Sequence, residues 1–193
     1  MVATESPQLT PGVAEAAVDA GADALEVIEV ASAVLVRNFE LLRRRSSIYA
    51  DLDRAEYLLL RTLDAVGPSD ICGLAAALGL DPSTAGRQVA AMAAKGLIER
   101  TPAATDRRRS IISPTGTGLD RMNTTRAQRR IATEELLDGW SEADLRTLGE
   151  MFTRYNRSVA EHYLTGTSTG TDHEPAPAPM AAVDALLSAA GPR

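Results

Sequence analysis

Residues 74–118 read LAAALGLDPSTAGRQVAAMAAKGLIERTPAATDRRRSIISPTGTG, and nearly every turn of this stretch has a physical assignment. Leu74, Ala75 and Leu78 share one helical face, and Gly79-Leu80 ends that helix in a tight turn. Asp81 is a good N-cap and Pro82 suits the first helical position, so a second helix starts there. Its inner face is Ala85, Val89 and Met92, and its outer face carries Ser83, Thr84, Arg87 and Gln88. Gly96 closes it. Leu97 to Arg100 reads as a strand and Arg109 to Ile112 as its returning partner, with a basic hairpin tip, Asp106-Arg107-Arg108-Arg109, between them. Two helices joined by a short turn and followed by a basic hairpin predict a winged helix-turn-helix, an element that binds DNA.

The order LA…LGL…ST..R.V..M..KGLIER…DRR…T..G resembles the MarR family of bacterial transcriptional regulators. The resemblance is spread over some forty-five positions (74–118) and departs at Pro114, where the family pattern has leucine. It implies that the segment Ser83, Thr84, Gly86, Arg87 and Gln88 enters the major groove. It also implies that an arginine at the wing tip, at the matching positions Arg107 and Arg108, enters the minor groove, and the run of three arginines that includes Arg109 makes that contact the expected one. Asp106 would hold that arginine in place. The chain itself supports the first role: on the second helix of the motif these side chains can reach base edges, arginine pairing with guanine O6 and N7 and glutamine with adenine, with phosphate the alternative contact for Ser83 and Thr84 near the helix start. Which residue reads which base is left open.

Net charge is −6, which is unusual for a DNA binder. From Asp81 to Ser113, however, six basic residues face three acidic ones, a local balance of +3. Phosphate responds to the local patch more than to the whole chain. The acidic remainder predicts weak non-specific affinity that salt removes easily.

The chain of 193 residues is most simply one domain plus tails. Residues 1–12 read as a disordered N-terminal tail and 13–164 as the winged-helix domain, with its DNA-binding lobe at about 52–114. A long helix at about 22–46 carries Leu25, Ile28, Leu35, Phe39 and Leu42 at three-four spacing. Asp53 with Glu56 forms a capping box for the next helix, whose Tyr57, Leu60 and Leu63 face the core. Ser69 or Asp70 caps the helix after it, which buries Ile71, Leu74, Ala75 and Leu78. Beyond the wing, Thr115 caps a polar helix to about Asp138, and Ser141 with Asp144 caps a last one bearing Leu145, Leu148, Phe152, Tyr155, Val159 and His162. The helices at about 22–46 and 115–163 are read as dimerisation helices. The fold class expected is therefore mainly α with a small β-hairpin wing: a winged helix-turn-helix with N- and C-terminal dimerisation helices. Residues 165–193 read as a flexible tail with a candidate short helix at 180–190, which is either frayed, the favoured reading, or docked on its own dimer or another protein.

No catalytic constellation, metal site or cofactor is expected. His162 and His173 are eleven residues apart with one cysteine in the chain, and Thr115 to Gly118 lacks the lysine of a phosphate loop. Cys72 lies beside the buried face of its helix with no feature to lower its pKa, so redox sensing is not expected. The lone cysteine, the lack of a membrane-length apolar run and the lack of a signal pattern predict a cytoplasmic protein. The resemblance implies a homodimeric repressor on an inverted-repeat operator in double-stranded DNA, released by a small-molecule effector such as a phenolic compound bound between the winged region and the dimer helices. Asn38, Tyr49, Tyr57 and Arg126 are candidate lining residues, chosen from no motif. Two competing readings are a ligand-indifferent dimer governed by abundance or a protein partner, and a winged-helix module that docks Arg107 to Arg109 on an acidic protein.

Overall fold

The computed structural model describes residues 23–46, 48–103, 106, 109–164 and 179–188, in two compact units, Met1–Ser47 and Ile48–Arg193. The tail expected at 1–12, the residues up to 22 and the linker 165–178 lie outside the described residues. In the first unit the described chain is one helix, α1 (Ala24–Arg45), ended by Arg43, Arg44 and Arg45 where the helix dipole favours cations. None of its residues is buried, and Leu25, Ile28, Val36, Phe39, Leu41 and Leu42 are exposed.

The second unit begins with α2 (Arg54–Val66), α3 (Ile71–Leu78) and α4 (Pro82–Ala94). The Asp53 carboxylate accepts the Glu56 amide at 2.9 Å and the Glu56 carboxylate accepts the Asp53 amide at 3.1 Å, the expected capping box. Asp70, not Ser69, caps α3 by accepting the Gly73 amide at 2.8 Å. Ser69 instead exchanges two backbone hydrogen bonds with Ile112, tying the wing to the helical lobe. The core is Leu52, Leu59, Leu60, Leu63, Leu74, Val89, Met92, Leu97, Ile98, Ile112 and Met122, with Tyr57, Ile71 and Leu78 only partly buried at its edge. Leu59, absent from the three-four reading of α2, is fully buried because α2 is covered on more than one side.

The wing is an antiparallel pair, β1 (Ile98–Pro102) and β2 (Ser110–Pro114), in register Ile98↔Pro114 to Pro102↔Ser110. Both strands start later than the sequence reading places them. Leu97 is held back by α4: its amide donates to the Met92 carbonyl and the Gly96 amide to that of Ala93, with Gly96 at φ +69°, a Schellman ending. Pro114 ends β2 without disturbing the exit, since the Thr115 hydroxyl still caps the next helix through the Gly118 amide at 3.0 Å.

Helix α5 (Gly116–Leu136) leaves the wing, turns at Gly139 (φ +83°) and passes into α6 (Glu142–Tyr163), which opens with the Ser141–Asp144 capping box. Only Ala160 of α6 is buried, while Leu145, Met151, Phe152, Tyr155, Val159 and Tyr163 remain exposed. Of the C-terminal stretch expected to be a flexible tail with a short helix at 180–190, residues 179–188 are described. There a helix, α7 (Pro179–Ser188), packs against α2, α3 and α6. Too short to hold alone, it is stabilised by tertiary contact: Ala182 is fully buried, and the Arg157 guanidinium donates two bonds of 3.0 Å to Asp184 on α7.

Candidate nucleic-acid interface

Helix α4 is positioned by its apolar stripe. Ala85 and Val89 are fully buried and Met92 is 1% exposed, so the opposite face with Ser83 and Arg87 is turned to solvent. Gly86 and Gln88 sit half-buried at the flanks of that face. At the N-terminus, Asp81 accepts the Thr84 amide at 2.9 Å, the ordinary cap. It also accepts the Ser83 hydroxyl at 2.5 Å and the Thr84 hydroxyl at 2.6 Å. Those hydrogen bonds, Ser83's first, hold the Asp81 carboxyl well below the usual carboxylate range. Arg87 in turn donates from Nη1 to the Ser83 hydroxyl (3.3 Å) and from Nη2 to that of Thr84 (2.8 Å).

The wing supplies the second part. Asp106 is exposed, and its carbonyl accepts the Arg109 amide at 2.9 Å at the hairpin tip. Arg107 and Arg108 lie outside the described residues. Arg109, expected among the DNA-binding residues, is paired within the chain. Its Nε donates to Asp70 at 3.1 Å and its Nη2 to the same oxygen, which raises the guanidinium pKa above its ordinary value. Asp70 thereby serves two elements at once, capping α3 and anchoring the base of the wing. Thirty-nine residues separate the pair, and no local pattern in the sequence announces it.

Of the four effector candidates, Tyr49 and Tyr57 are brought together and Arg126 is near enough for its charge to lower the Tyr57 pKa. The residue that joins them was missed: Arg129. Its guanidinium lies 5.4 Å from the Tyr49 ring centre and 5.1 Å from that of Tyr57, and it donates to the Tyr49 hydroxyl. Burial pushes the Arg129 pKa down, and burial is the largest cause of the raised Tyr57 pKa. Arg129 also lines a surface cavity of about 470 Å³ at the α5–α6 turn, with Leu137, Trp140 and Leu145. The signal available in the sequence was position, since Arg126 and Arg129 fall three apart on one face of α5. Asn38 belongs to the N-terminal unit and accepts from its neighbour Arg37 at 3.2 Å. Cys72 is exposed. Among the described residues no helix is long and apolar enough to cross a membrane.

A sequence model of the MarR family matches residues 50–109, which hold α2, α3, α4 and the wing up to Arg109. An uncharacterized HTH-type transcriptional regulator of Bacillus subtilis (strain 168), YxaD, is 34% identical over 137 residues, covering 71% of this chain and 96% of that relative. The chain belongs to the MarR family. It is a helix-turn-helix transcriptional regulator and not an enzyme, and the family implies DNA binding and a homodimer. Among solved structures, a MarR family protein from Bacillus stearothermophilus is similar at a TM-score of 0.59 and 16% identity, covering 72% of this chain and 98% of that one. The PcaV transcriptional regulator from Streptomyces coelicolor, solved in complex with its natural ligand, gives 0.52 and 20%, covering 65% and 88%. At these identities the likeness shows the fold: mainly helical, with a two-stranded antiparallel wing and with N- and C-terminal helices.

Proposed function

We propose that this MarR family member is a cytoplasmic homodimeric repressor that reads an inverted-repeat operator and is released by a small-molecule effector. The observation that carries the DNA reading is α4: its buried stripe fixes the helix while Ser83, Thr84, Gly86, Arg87 and Gln88 lie on or beside its outer face. These residues take the major groove, with Arg107 and Arg108 at the wing tip in the minor groove. Arg109 contributes by holding the wing base on Asp70. Two protomers then require half-sites one helical turn apart, ~10 bp. Dimerisation uses α1 and α6, whose apolar residues are exposed within the single chain.

Support for an effector comes from the half-buried cluster of Tyr49, Tyr57, Arg126 and Arg129, and by analogy from the ligand-bound PcaV. An effector acts here only if it binds one dimer shape better than the other, shifting the population with the DNA-competent spacing. The test is fluorescence anisotropy on DNA upstream of the protein's own gene and on scrambled DNA, titrated with salt and then with small aromatic acids and phenols. Saturable binding that survives only on the upstream duplex, and is lost with an effector, supports the proposal. Equal binding to both duplexes refutes the operator reading. Specific binding that no compound relieves leaves a ligand-indifferent dimer.

A further inference from the structure

The N-terminus of α4 is wired differently from the other aspartate-capped helices. Asp53 and Asp70 each accept one backbone amide of their own helix. Asp81 accepts an amide and two hydroxyls as well, and both of those hydroxyl oxygens accept from Arg87. A serine or threonine hydroxyl has one proton and two lone pairs. With the protons of Ser83 and Thr84 committed to Asp81, their oxygens are left as acceptors only. A phosphate oxygen is also an acceptor, so these hydroxyls have nothing to offer it. They offer lone pairs to a cation, and Arg87 takes them. Two guanidinium N–H groups are used in this way, leaving three of the five for DNA.

We infer that Asp81 is a specificity-determining positioning residue: its carboxylate sets the hydroxyls of Ser83 and Thr84 as acceptors that aim Arg87 at a base edge and deny a phosphate contact at the start of the reading helix. The assignment rests on the DNA-reading role of α4. A carboxylate on this helix end also opposes the phosphate backbone of any duplex alike, so the ratio of selected to scrambled affinity depends on Asp81 only through Arg87. Holding a long arginine in one geometry before contact removes part of the ordering cost of binding. Base contacts gain from that, because a bidentate guanine contact needs the guanidinium in one plane.

Replacing Asp81 by asparagine separates these roles from capping. Asparagine caps helices as well as aspartate does, so α4 keeps its start. Its amide nitrogen must meet one of the two hydroxyls as a donor. That hydroxyl then spends one lone pair on the amide and turns its proton outward, toward Arg87 or solvent, so the carboxylate no longer fixes the acceptor that aims Arg87. The probe is the duplex that the wild-type full chain enriches from a randomised pool, compared with a scrambled duplex of the same composition. In Asp81→Asn the ratio of the two affinities should fall about tenfold, within the range a lost bidentate contact spans, while thermal unfolding is unchanged. In an Arg87→Ala background the same substitution should leave the ratio within about twofold, because Asp81 acts through Arg87. Thr84→Val, which keeps the shape and removes the hydroxyl, should weaken binding to the selected duplex alone. The inference is overturned if Asp81→Asn keeps wild-type discrimination, if its effect persists without Arg87, or if Thr84→Val weakens both duplexes equally as a phosphate contact would. A wild-type chain that enriches no sequence overturns the DNA reading itself, a distinct result.

Discussion

Gly118→Ala is the sharpest test of how the wing is joined to the long helix. A Cβ at Gly118 would stand 2.0 Å from the Leu97 carbonyl oxygen, 3.0 Å from its carbon and 3.2 Å from Leu60 Cδ2. The obstacle is backbone, so no rotamer change relieves it. The same Leu97 carbonyl accepts the Thr115 amide at 3.0 Å, and the Thr115 hydroxyl accepts the Gly118 amide at 3.0 Å. Alanine returns about 1 kcal/mol of helix propensity. Overpacking costs about 1–3 kcal/mol, and disturbing the Thr115 hydrogen bond and cap costs about 1 kcal/mol each. The balance is a loss of about 2–4 kcal/mol, which for a chain of this size lowers Tm by roughly 4–16 °C. Gly116→Ala is the control, because nothing lies within 4 Å of its added Cβ. Both are read by circular dichroism melts at one fixed protein concentration, since an oligomer's Tm depends on it. A Gly118→Ala midpoint within about 2 °C of wild type, or an equal fall in Gly116→Ala, would refute the close-approach argument.

Removing the wing anchor should loosen the hairpin without unfolding the lobe. Arg109→Ala is expected to raise amide exchange across β1 and β2 and to weaken operator binding several-fold, while Asp70→Ala adds the loss of the α3 cap and lowers Tm further. Tyr57 makes a prediction about alkaline stability. Its folded pKa is raised above 10.0 by burial, against the lowering charges of Arg61 and Arg126, so the unfolded chain ionises first. Stability present below about pH 10 is therefore lost as the pH rises through the folded value, and denaturant titrations of Tyr57→Phe should show a shallower alkaline fall. Met92→Ala removes a core side chain that is 1% exposed, with an expected loss of about 2–5 kcal/mol in denaturant unfolding. Ala182→Asp places a carboxylate where no water reaches. It should release α7, seen as faster proteolysis after Leu164, with β1 and β2 exchange unchanged.

What the chain disclosed about itself follows the range of the interactions. Asp81-Pro82 before Ala85, Val89 and Met92 announced α4 and its buried side, because caps and helical periodicity act within a few residues. Both capping boxes were legible for the same reason. The pairing of Asp70 with Arg109 was not, and neither was the gathering of Tyr49, Tyr57 and Arg129, since each joins residues far apart in sequence. The packing of α7 was hidden for another cause. Its buried residue, Ala182, is small and ambiguous, and only the surface formed by α2, α3 and α6 gives it a place. Ser83 and Thr84 show the limit at finer scale. Their position on α4 could be read, but the direction of their protons depends on a carboxylate in the right rotamer.

One property of α6 reaches beyond the single chain. A helix of 22 residues with Ala160 as its one buried side chain, and with Phe152, Tyr155, Val159 and Tyr163 open to water, draws little stability from its own fold. If the second copy covers it, assembly and full folding become one equilibrium governed by protomer abundance. Operator occupancy would then follow roughly the square of protein level when the protein is scarce, so halving the abundance cuts occupancy by about fourfold. Under that assembly the exposed row on α6 would act as a dosage sensor: a cell could sharpen or silence this regulator's response through synthesis and turnover alone.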